Sequence, residues 1–303
     1  MTLKPPMSPT LAIVVTYNPS PGDLAALLHC LRDQRVDTVV VDNGSSNIDL
    51  TAEQVSACPN VDLVRLDSNH GIAHAQNIGL RKALSGAYEF ALLLDQDSLP
   101  EGQFVEKSLQ AFRTLDPEGL TIAAVAPSYI DSSTQYLYPF VRFSRFGVHT
   151  FRPSEQYADV SLIISSGSML RLKVLPAIGL MNESLFIDHV DTEWCLRAIA
   201  KGFRLVGLAD NRMRHSVGDA TIRILGRNLP AHNYKRRYLA TRNLFFLIFH
   251  ADAPKQWKIK EAVTSLVKLL VTLPYLDARA GHVRSYALGV HDGIAANFTR
   301  YYV

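Results

Sequence analysis

The sequence is poor in cysteine and has no long apolar run. Only three of its 303 residues are cysteine (Cys30, Cys58 and Cys195), and they lie far apart. An odd number of scattered cysteines argues against a disulfide framework or a thiolate metal site and suggests a reducing compartment. No stretch approaches the ~18 apolar residues of a membrane-spanning helix. The polar, proline-rich start MTLKPPMSPT does not have the form of a signal peptide. We therefore expect a cytoplasmic globular protein.

Two common phosphate-binding motifs are also missing. The sequence contains neither GxxxxGK[ST] nor GxGxxG, which argues against a P-loop and against a dinucleotide-binding fingerprint. It also has no internal repeat and no low-complexity segment. Hydrophobic residues make up 48% of the chain and charged residues 19%, a composition typical of a globular protein.

The net charge of +3 conceals a strong asymmetry along the chain. Residues 1–210 contain 16 basic and 23 acidic side chains, whereas residues 211–303 contain 15 and 5. A basic final third indicates an anionic partner, such as a nucleic acid, a phosphorylated ligand or a membrane surface. No nucleic-acid-binding motif accompanies the charge, so we do not expect a nucleic-acid partner.

Strand-like and helix-like segments alternate through the first 130 residues. Apolar runs that predict strands lie in LAIVVTYN, TVVVDNGSS, VDLVRLDSN, YEFALLLDQDS and TIAAVAPSYI. Helical periodicity follows at 22–35, 71–84, 102–115 and 191–201, and the chain is helical from about residue 230. We expect a long loop with short strands at 131–160 and a strand in SLIISSGSML that breaks at Gly167. This alternation predicts an open α/β fold with a mostly parallel sheet.

Polar residues follow the first four predicted strands. Ligands of open α/β sheets bind beyond the carboxyl ends of the strands. We therefore expect these residues to form one polar rim around a nucleotide-sized site. They are Thr16, Tyr17 and Asn18, then Asp42 to Ser45, then Asn69 and Gly71, and finally Asp95 and Asp97.

Carboxylates and one histidine suggest chemistry at this rim, but each has a simpler explanation. Asp95 and Asp97 have the oxygen ligands that Mg²⁺ or Mn²⁺ prefers, although Asp and Ser also favour plain turns. Asp191 lies where a helix begins, so it is either a capping carboxylate or a general base. His215 follows a later strand, and a lone histidine is more often structural than metal-bound.

Seven segments together resemble a known family. They are VVTYN, VVDNGSS, NHGIAHAQNIGL, LLLDQDS, SSGSMLR, FIDHVDTEWCLRA and MRHSVGD. Their order and spacing resemble inverting family 2 glycosyltransferases of the GT-A fold, a Rossmann-like sheet flanked by helices, over roughly residues 10–220. The DQDS form and the IDHVDTEWCLRA helix are most similar to bacterial rhamnosyltransferases, which use dTDP-L-rhamnose as the donor.

The resemblance implies a role for each matching position. Asp191 would be the catalytic base, and a helix N-terminus would keep it ionised. Asp42 would hydrogen-bond the pyrimidine base, and Asp97 would bind Mg²⁺ or Mn²⁺ with Asp95 and His215. The nucleotide-sugar site would comprise Thr16, Tyr17, Asn18, Asp42, Asn69, Gly71, Asn77, Arg81 and Asp95. The acceptor side would comprise Ser166, Gly167, Asp188, Glu193 and Trp194.

The resemblance also divides the chain into an N-terminal tail (1–9), a GT-A domain (10–228) and a basic helical region (229–303). In the last region Ile259, Val263, Leu266, Leu270 and Leu273 share one helical face. That face either packs on the domain or lies against anionic lipid at the inner side of the membrane. The basic cluster YKRRYLATRN would be a solvated face or would bind lipid or a pyrophosphate-linked acceptor.

The leading hypothesis is a metal-dependent rhamnosyltransferase that acts on a cell-surface polysaccharide or glycolipid precursor. A family 2 enzyme with another donor sugar is the near alternative. A haloacid-dehalogenase-type phosphatase also has a strand that ends in DxD, although usually on the first strand of its core. A non-catalytic carbohydrate-binding protein is the third alternative. The acceptor, a saccharide or a lipid-linked sugar, does not follow from the sequence.

Overall fold

The computed structural model describes residues 8–131, 135–144, 147–215, 221–224, 227–230 and 233–300, with the backbone alone at 215, 221–224 and 227–230. Its strands are β1 (Thr10–Thr16), β2 (Asp37–Asp42), β3 (Val61–Arg65), β4 (Phe90–Asp95), β5 (Leu99–Pro100), β6 (Ile122–Asp131), β7 (Phe140–Ser144), β8 (Gly147–Phe151), β9 (Tyr157–Val160), β10 (Met169–Arg171), β11 (Arg204–His215), β12 (Thr221–Ile224) and β13 (Arg227–Pro230). Its helices are α1 (Pro21–Asp33), α2 (Ile48–Ser56), α3 (Ile72–Ser85), α4 (Phe104–Leu115), α5 (Leu175–Ile178), α6 (Val190–Ala200), α7 (Tyr234–His250), α8 (Lys255–Thr272) and α9 (Arg279–Ile294).

The central sheet has the strand order β3-β2-β1-β4-β10-β6-β11-β5, and β9 also pairs with β11. Strands β1 to β4 pair in parallel with one another, as do β6 and β11. The short strands β5, β9 and β10 run antiparallel to theirs. The predicted α/β fold with a mostly parallel sheet is confirmed. Because β3, β2, β1 and β4 are neighbours, their carboxyl ends lie side by side.

The segment before β10 differs from the sequence expectation. We expected a strand in SLIISSGSML, but only Met169–Arg171 is a strand, and it runs antiparallel between β4 and β6. Gly167 has φ +78°, and an added Cβ would lie 2.6 Å from the Met213 sulfur. The chain therefore turns at Gly167, and the residues before it form a loop beside the end of β4.

Apolar side chains bury both faces of the sheet. All seven residues of β1 are buried, which is the pattern of a parallel strand covered on two sides. Helix α3 lies especially close to β1, since a Cβ at Gly79 would be 2.3 Å from the Ile13 Cγ2 atom. This close approach fixes the N-terminus of α3 beside the strand ends that form the rim.

Three helices complete the chain, and α7 packs along α9. Trp257, Leu244 and Leu247 form a small apolar core with Leu196 of α6. Helix α7 begins at Tyr234, four residues later than expected, and β12 and β13 pair just before it. Within the part of the chain that the structure describes, no helix is both long and apolar enough to cross a membrane.

Candidate active site

Asp42 organises the ends of β1 and β2. Thr16 Oγ1 donates a hydrogen bond to Asp42 Oδ2 (2.9 Å). The Ser45 amide (2.9 Å) and hydroxyl (2.6 Å) donate to the same carboxylate. Asp42 is 1% exposed. It therefore supports the wall of the pocket, and any contact with a nucleotide base must share oxygens that already accept protein hydrogen bonds.

Asn18 and Tyr17 lie at the solvent side of the same pocket. The Asn18 amide donates to the Ser45 hydroxyl (2.8 Å), and the Asn18 side-chain oxygen accepts from the Ser46 amide (2.8 Å). The Tyr17 amide donates to Gln96 Oε1 (2.8 Å), while its ring is exposed. The ring of Tyr17 is thus available at the pocket entrance to stack on a planar ligand.

A chain of amides connects β2 to the start of α3. Asn43 Nδ2 donates to Asn69 Oδ1 (3.0 Å), and Asn43 Oδ1 accepts from the His70 amide (2.9 Å). Asn69 Oδ1 also accepts from the Gly71 amide (2.9 Å). Gly71 has φ +87°, and an added Cβ would lie 2.6 Å from the carbonyl oxygen of Phe186. Gly71 therefore brings the predicted donor-binding segment into contact with the loop before α6.

Asp95 and Asp97 lie in a turn after β4. The Asp95 amide donates to Ser166 Oγ (3.0 Å), and the Ser98 amide donates to the Asp95 carbonyl (3.1 Å). The Gly167 amide donates to the Leu93 carbonyl (2.6 Å). Ser166 and Gly167, which we predicted on the acceptor side, thus hold the backbone of the predicted metal motif. Both carboxylates are half-buried at the same edge of the sheet as Asp42.

Asp191 lies in the first turn of α6, beside Ser165 of the loop that also contacts Asp95. It accepts a hydrogen bond from the Thr192 amide (2.7 Å). Burial raises the pKa of Asp191, and the backbone hydrogen bonds from Thr192 and Ser165 oppose that shift only in part. Desolvation therefore outweighs the helix N-terminus in the pKa of Asp191, and its ionisation at neutral pH stays a prediction.

The buried Tyr129 hydroxyl lies within electrostatic range of both Asp95 and Asp191. Tyr129 donates to the carbonyls of Ile164 (3.0 Å) and Ser166 (2.9 Å). Burial raises the pKa of Tyr129, and the negative charges of Asp191 and Asp95 raise it further. Both carboxylates therefore act electrostatically on the same hydroxyl group. The backbone of the predicted metal motif and the carboxylate of the predicted base both contact the 164–168 loop.

The loop before α6 has an unusual backbone. Phe186, Asp188 and His189 all have positive φ (66°, 61° and 62°), which costs of order 1–3 kcal/mol for each non-glycine residue. Hydrogen bonds from α7 compensate for this strain. Asn243 Nδ2 lies within 3.0 Å of the carbonyl oxygens of Leu185, Ile187 and Asp188.

Two arginines of α7 strengthen the same attachment. Arg236 binds the Asp188 carboxylate with two nitrogens (3.2 and 3.1 Å). Arg242 is fully buried and donates to the carbonyls of Ser184 and Leu185. Arg242 therefore does not belong to the solvated or lipid-binding cluster that we expected. The sequence missed this role because these contacts span 48 to 58 residues.

Asn77 and Arg81, which we expected at the nucleotide-sugar site, bind the 181–185 segment. Asn77 exchanges hydrogen bonds with the Met181 backbone (2.9 Å each) and donates to Glu183 Oε1 (2.7 Å), which also pairs with Arg81 (2.8 Å). Burial opposes ionisation of Glu183, but hydrogen bonds from Asn77, His74 and Arg81 lower its pKa to about 2. These contacts make Asn77 and Arg81 anchors between α3 and the 181–185 segment.

Glu193 and Trp194 also differ from the expected acceptor side. Trp194 is 2% exposed, lies in the core and donates its indole N–H to the Gly179 carbonyl (3.0 Å). Glu193 pairs with Arg197 (2.7 Å). Asp191 lies one turn earlier on the same side of α6, at the end of the helix, where its side chain is half-buried. Glu193 and Trp194 thus fix α6 in place.

The predicted metal ligands are seen only in part. His215 ends β11, and its side chain lies outside the described residues. Among the described side chains, no group of three or more His, Cys, Asp or Glu residues converges as a metal site would require. Asp95 and Asp97 provide carboxylate oxygens at this edge, a donor set that fits Mg²⁺ or Mn²⁺ when phosphate oxygens and water supply the other ligands.

Residues 11–179 match the family model "Glycosyl transferase family 2", so the chain belongs to this family and is a glycosyltransferase. It is 35% identical over 287 residues to dTDP-rhamnosyl transferase RfbF of Shigella flexneri, with 93% of this chain and 94% of the relative covered.

Solved structures show the same fold. TarS of S. aureus superposes with a TM-score of 0.60 at 17% identity, covering 95% of this chain and 49% of TarS. GalNAc-T7, solved with UDP, GalNAc and Mn²⁺, gives 0.57 at 13% identity, covering 79% and 50%. At these identities the similarity concerns the fold alone. Family membership decides against the phosphatase and the non-catalytic alternatives.

Proposed function

We propose that this glycosyltransferase moves L-rhamnose from dTDP-L-rhamnose to a hydroxyl group of a saccharide or lipid-linked acceptor. The observation that carries the proposal is the similarity to dTDP-rhamnosyl transferase RfbF, which covers nearly the full length of both chains. The acceptor would be a precursor of a cell-surface polysaccharide or glycolipid. A different nucleotide-sugar donor is the alternative that experiment must distinguish.

The mechanism is a single displacement with inversion at the anomeric carbon. Asp191 accepts the proton of the acceptor hydroxyl as its oxygen forms the new glycosidic bond. The bond between the anomeric carbon and the dTDP oxygen breaks on the opposite face, and dTDP leaves with the electron pair. The raised pKa of Asp191 suits this role, because a stronger base takes the proton more readily.

The departing diphosphate requires neutralisation on the other side of the donor. Asp95 and Asp97 would hold Mg²⁺ or Mn²⁺ there, and a bound divalent cation stabilises negative charge on phosphate oxygens. Ser166 and Ser98 fix the turn that carries the two carboxylates. Thr16, Asn18 and Tyr17 would line the thymidine pocket, with Asp42 ordering its wall.

A binding experiment tests the donor. Calorimetric titration with dTDP, with and without Mn²⁺, should show metal-dependent binding. Thermal shift with dTDP-L-rhamnose should exceed that with UDP-sugars at equal concentration. A ligand at about 100 times its Kd stabilises the folded state by roughly 2.7 kcal/mol. Asp97→Asn should remove the metal-dependent part of the dTDP affinity. Preference for a UDP-sugar would assign another donor, and absence of dTDP binding would overturn the proposal.

We also propose that α8 attaches the enzyme to an anionic membrane surface. Six apolar side chains on its outer face are between 38% and 66% exposed: Ile259, Val263, Leu266, Val267, Leu270 and Val271. This face therefore does not pack on the domain, which was one of the two expected arrangements. These six side chains form the apolar stripe of α8. Lys255 and Lys260 are exposed and flank the stripe at helical spacing.

The lysines that flank the apolar stripe favour lipid over a second copy of the chain as the partner of α8. In a two-fold symmetric dimer the same surface patch meets itself, so the flanking lysines of both copies would face each other. An anionic membrane instead attracts them, by about 1 kcal/mol for each basic residue near the surface.

A further inference from the structure

Polar side chains of α8 line a cavity of about 270 Å³. Glu261, Ser265, Lys268 and Thr272 recur at helical spacing, opposite the apolar stripe. Helices α7 and α9 form two further walls. The buried apolar side chains of α8 are Trp257 and Leu269, so this polar row lies beside its packing contacts and is turned to the cavity.

The fourth wall of the cavity consists of Asp188 and His189, just before Asp191. Arg236 neutralises the Asp188 carboxylate. Burial lowers the pKa of His189, which favours its neutral form. The proposed thymidine site lies elsewhere, at the ends of β1 and β2. The cavity lies beside the two residues that shortly precede the predicted base.

Arg237 is a half-buried cation in this cavity, and its hydrogen-bond partners among the described residues are neutral. Its Nε donates to His282 Nδ1 (2.9 Å), and Nη2 donates to Thr272 Oγ1 (3.2 Å). Among the described residues, no carboxylate lies within ion-pair distance of Arg237. Burial lowers the pKa of Arg237, so its charge is held at a cost. An anionic ligand would relieve that cost, and Lys268 supplies a second positive charge.

The other lining groups suit sugar hydroxyls. Glu261 and Thr264 line the cavity, and Ser265 Oγ lies 3.0 Å from the Tyr286 hydroxyl. The volume is close to the lower end of the roughly 300–1,000 Å³ of small-molecule sites, so the cavity suits a small ligand rather than a long oligosaccharide.

We propose that this cavity binds the acceptor as a sugar ring that carries an anionic group, with Arg237 and Lys268 at the anion and the ring hydroxyls towards Asp191. The proposal rests on the proposed transferase function. A phosphate and a carboxylate are the two sources of the anionic group, and the test separates them.

Calorimetric titration of the full-length enzyme with three probes tests this site. The probes are glucose 1-phosphate, glucuronic acid and neutral methyl glucoside. We expect an anionic probe to bind, with at least tenfold weaker affinity for Arg237→Gln and a smaller loss for Lys268→Gln. Thr264→Phe should abolish binding by filling the cavity without removing a charge. Lys260→Gln, on the outer face, is the matched control and should bind like the wild type.

Each variant is also titrated with dTDP. Unchanged dTDP binding shows that the fold and donor site are intact. If Arg237→Gln fails to fold, Lys268→Gln and Thr264→Phe still test the site. Binding of glucuronic acid in preference to the phosphate supports the site and identifies the anion as a carboxylate. Equal affinity of wild type and cavity variants, or no binding of either anionic probe, overturns the proposal. Failure of dTDP to bind the wild type would instead contradict the transferase proposal.

Discussion

Asp191 combines two properties that the sequence could not predict together. Its place at the start of a helix favours the ionised carboxylate, whereas burial raises its pKa. A carboxyl group with a raised native pKa binds its proton more tightly in the folded than in the unfolded chain. Stability therefore falls as pH rises from the unfolded pKa through the folded one.

This balance predicts the behaviour of Asp191→Asn. The variant should lose transfer by at least about 10²-fold because no base accepts the acceptor proton. It should keep dTDP binding, and at neutral pH its Tm should equal or exceed that of the wild type. Single-turnover assays, titration and thermal melting check the three statements. Retained turnover would remove Asp191 from the base role.

The same shift predicts the pH profile of transfer. The rate at saturating donor should fall on the acid side at a pH above the ~3.9 of an ordinary aspartate, because Asp191 must be ionised to accept a proton. A pH profile of kcat measures this, with dTDP affinity recorded at each pH as the control. A rate that stays level down to pH 4 would contradict the expectation.

Gly71 offers a second prediction at a single residue. A Cβ at Gly71 would lie 2.6 Å from the Phe186 carbonyl oxygen, so Gly71→Ala should separate the donor segment from the base loop. Gly102 has a similar positive φ (+57°) but nothing within 4 Å of an added Cβ. Gly102→Ala therefore measures backbone strain alone, about 1–2 kcal/mol. Chemical denaturation should show a larger loss for Gly71→Ala, and equal losses would refute the steric argument.

At the scale of elements, α7 holds the loop that precedes α6. Asn243→Ala would leave up to three carbonyls of that loop without their amide partner, and one unsatisfied buried group costs about 1–3 kcal/mol. We expect a stability loss of about 2–3 kcal/mol and a lower kcat with little change in the KM for the donor. Gln110→Ala, at an exposed amide on α4, is the control. A loss confined to donor KM would contradict the positioning role.

The strand ends were predictable from sequence, whereas the attachments of the base loop were not. Buried apolar runs that end in Thr16, Asp42 and Asp95 identify parallel strands, and the topology of such sheets brings their ends together. Asn77, Trp194 and Arg242 bind groups 15 to 104 residues away in the chain. A pattern of local spacing carries no information on such partners, so their packing roles emerge only from the fold.

At the scale of the whole molecule, α8 should determine membrane association. The wild type should float with phosphatidylcholine vesicles that contain phosphatidylglycerol and remain unbound with neutral vesicles. Leu266→Asp with Leu270→Asp should abolish flotation, and Lys255→Gln with Lys260→Gln should weaken it in a salt-dependent way. Thr264→Phe, on the inner face, is the control. If the wild type is a dimer that does not bind vesicles, and the two aspartate substitutions dissociate it, the partner of α8 is a second copy of the chain.

The position of β10 has a consequence for folding. Strands β1 to β4 and the helices between them lie within the first 95 residues, so all four strands leave the ribosome before β10 does. In the sheet as described, β6 joins β4 through the three residues Met169–Arg171 of β10. The nucleotide-side strands should therefore assemble first as the chain leaves the ribosome, and closure of β10 should be the late step that completes the sheet.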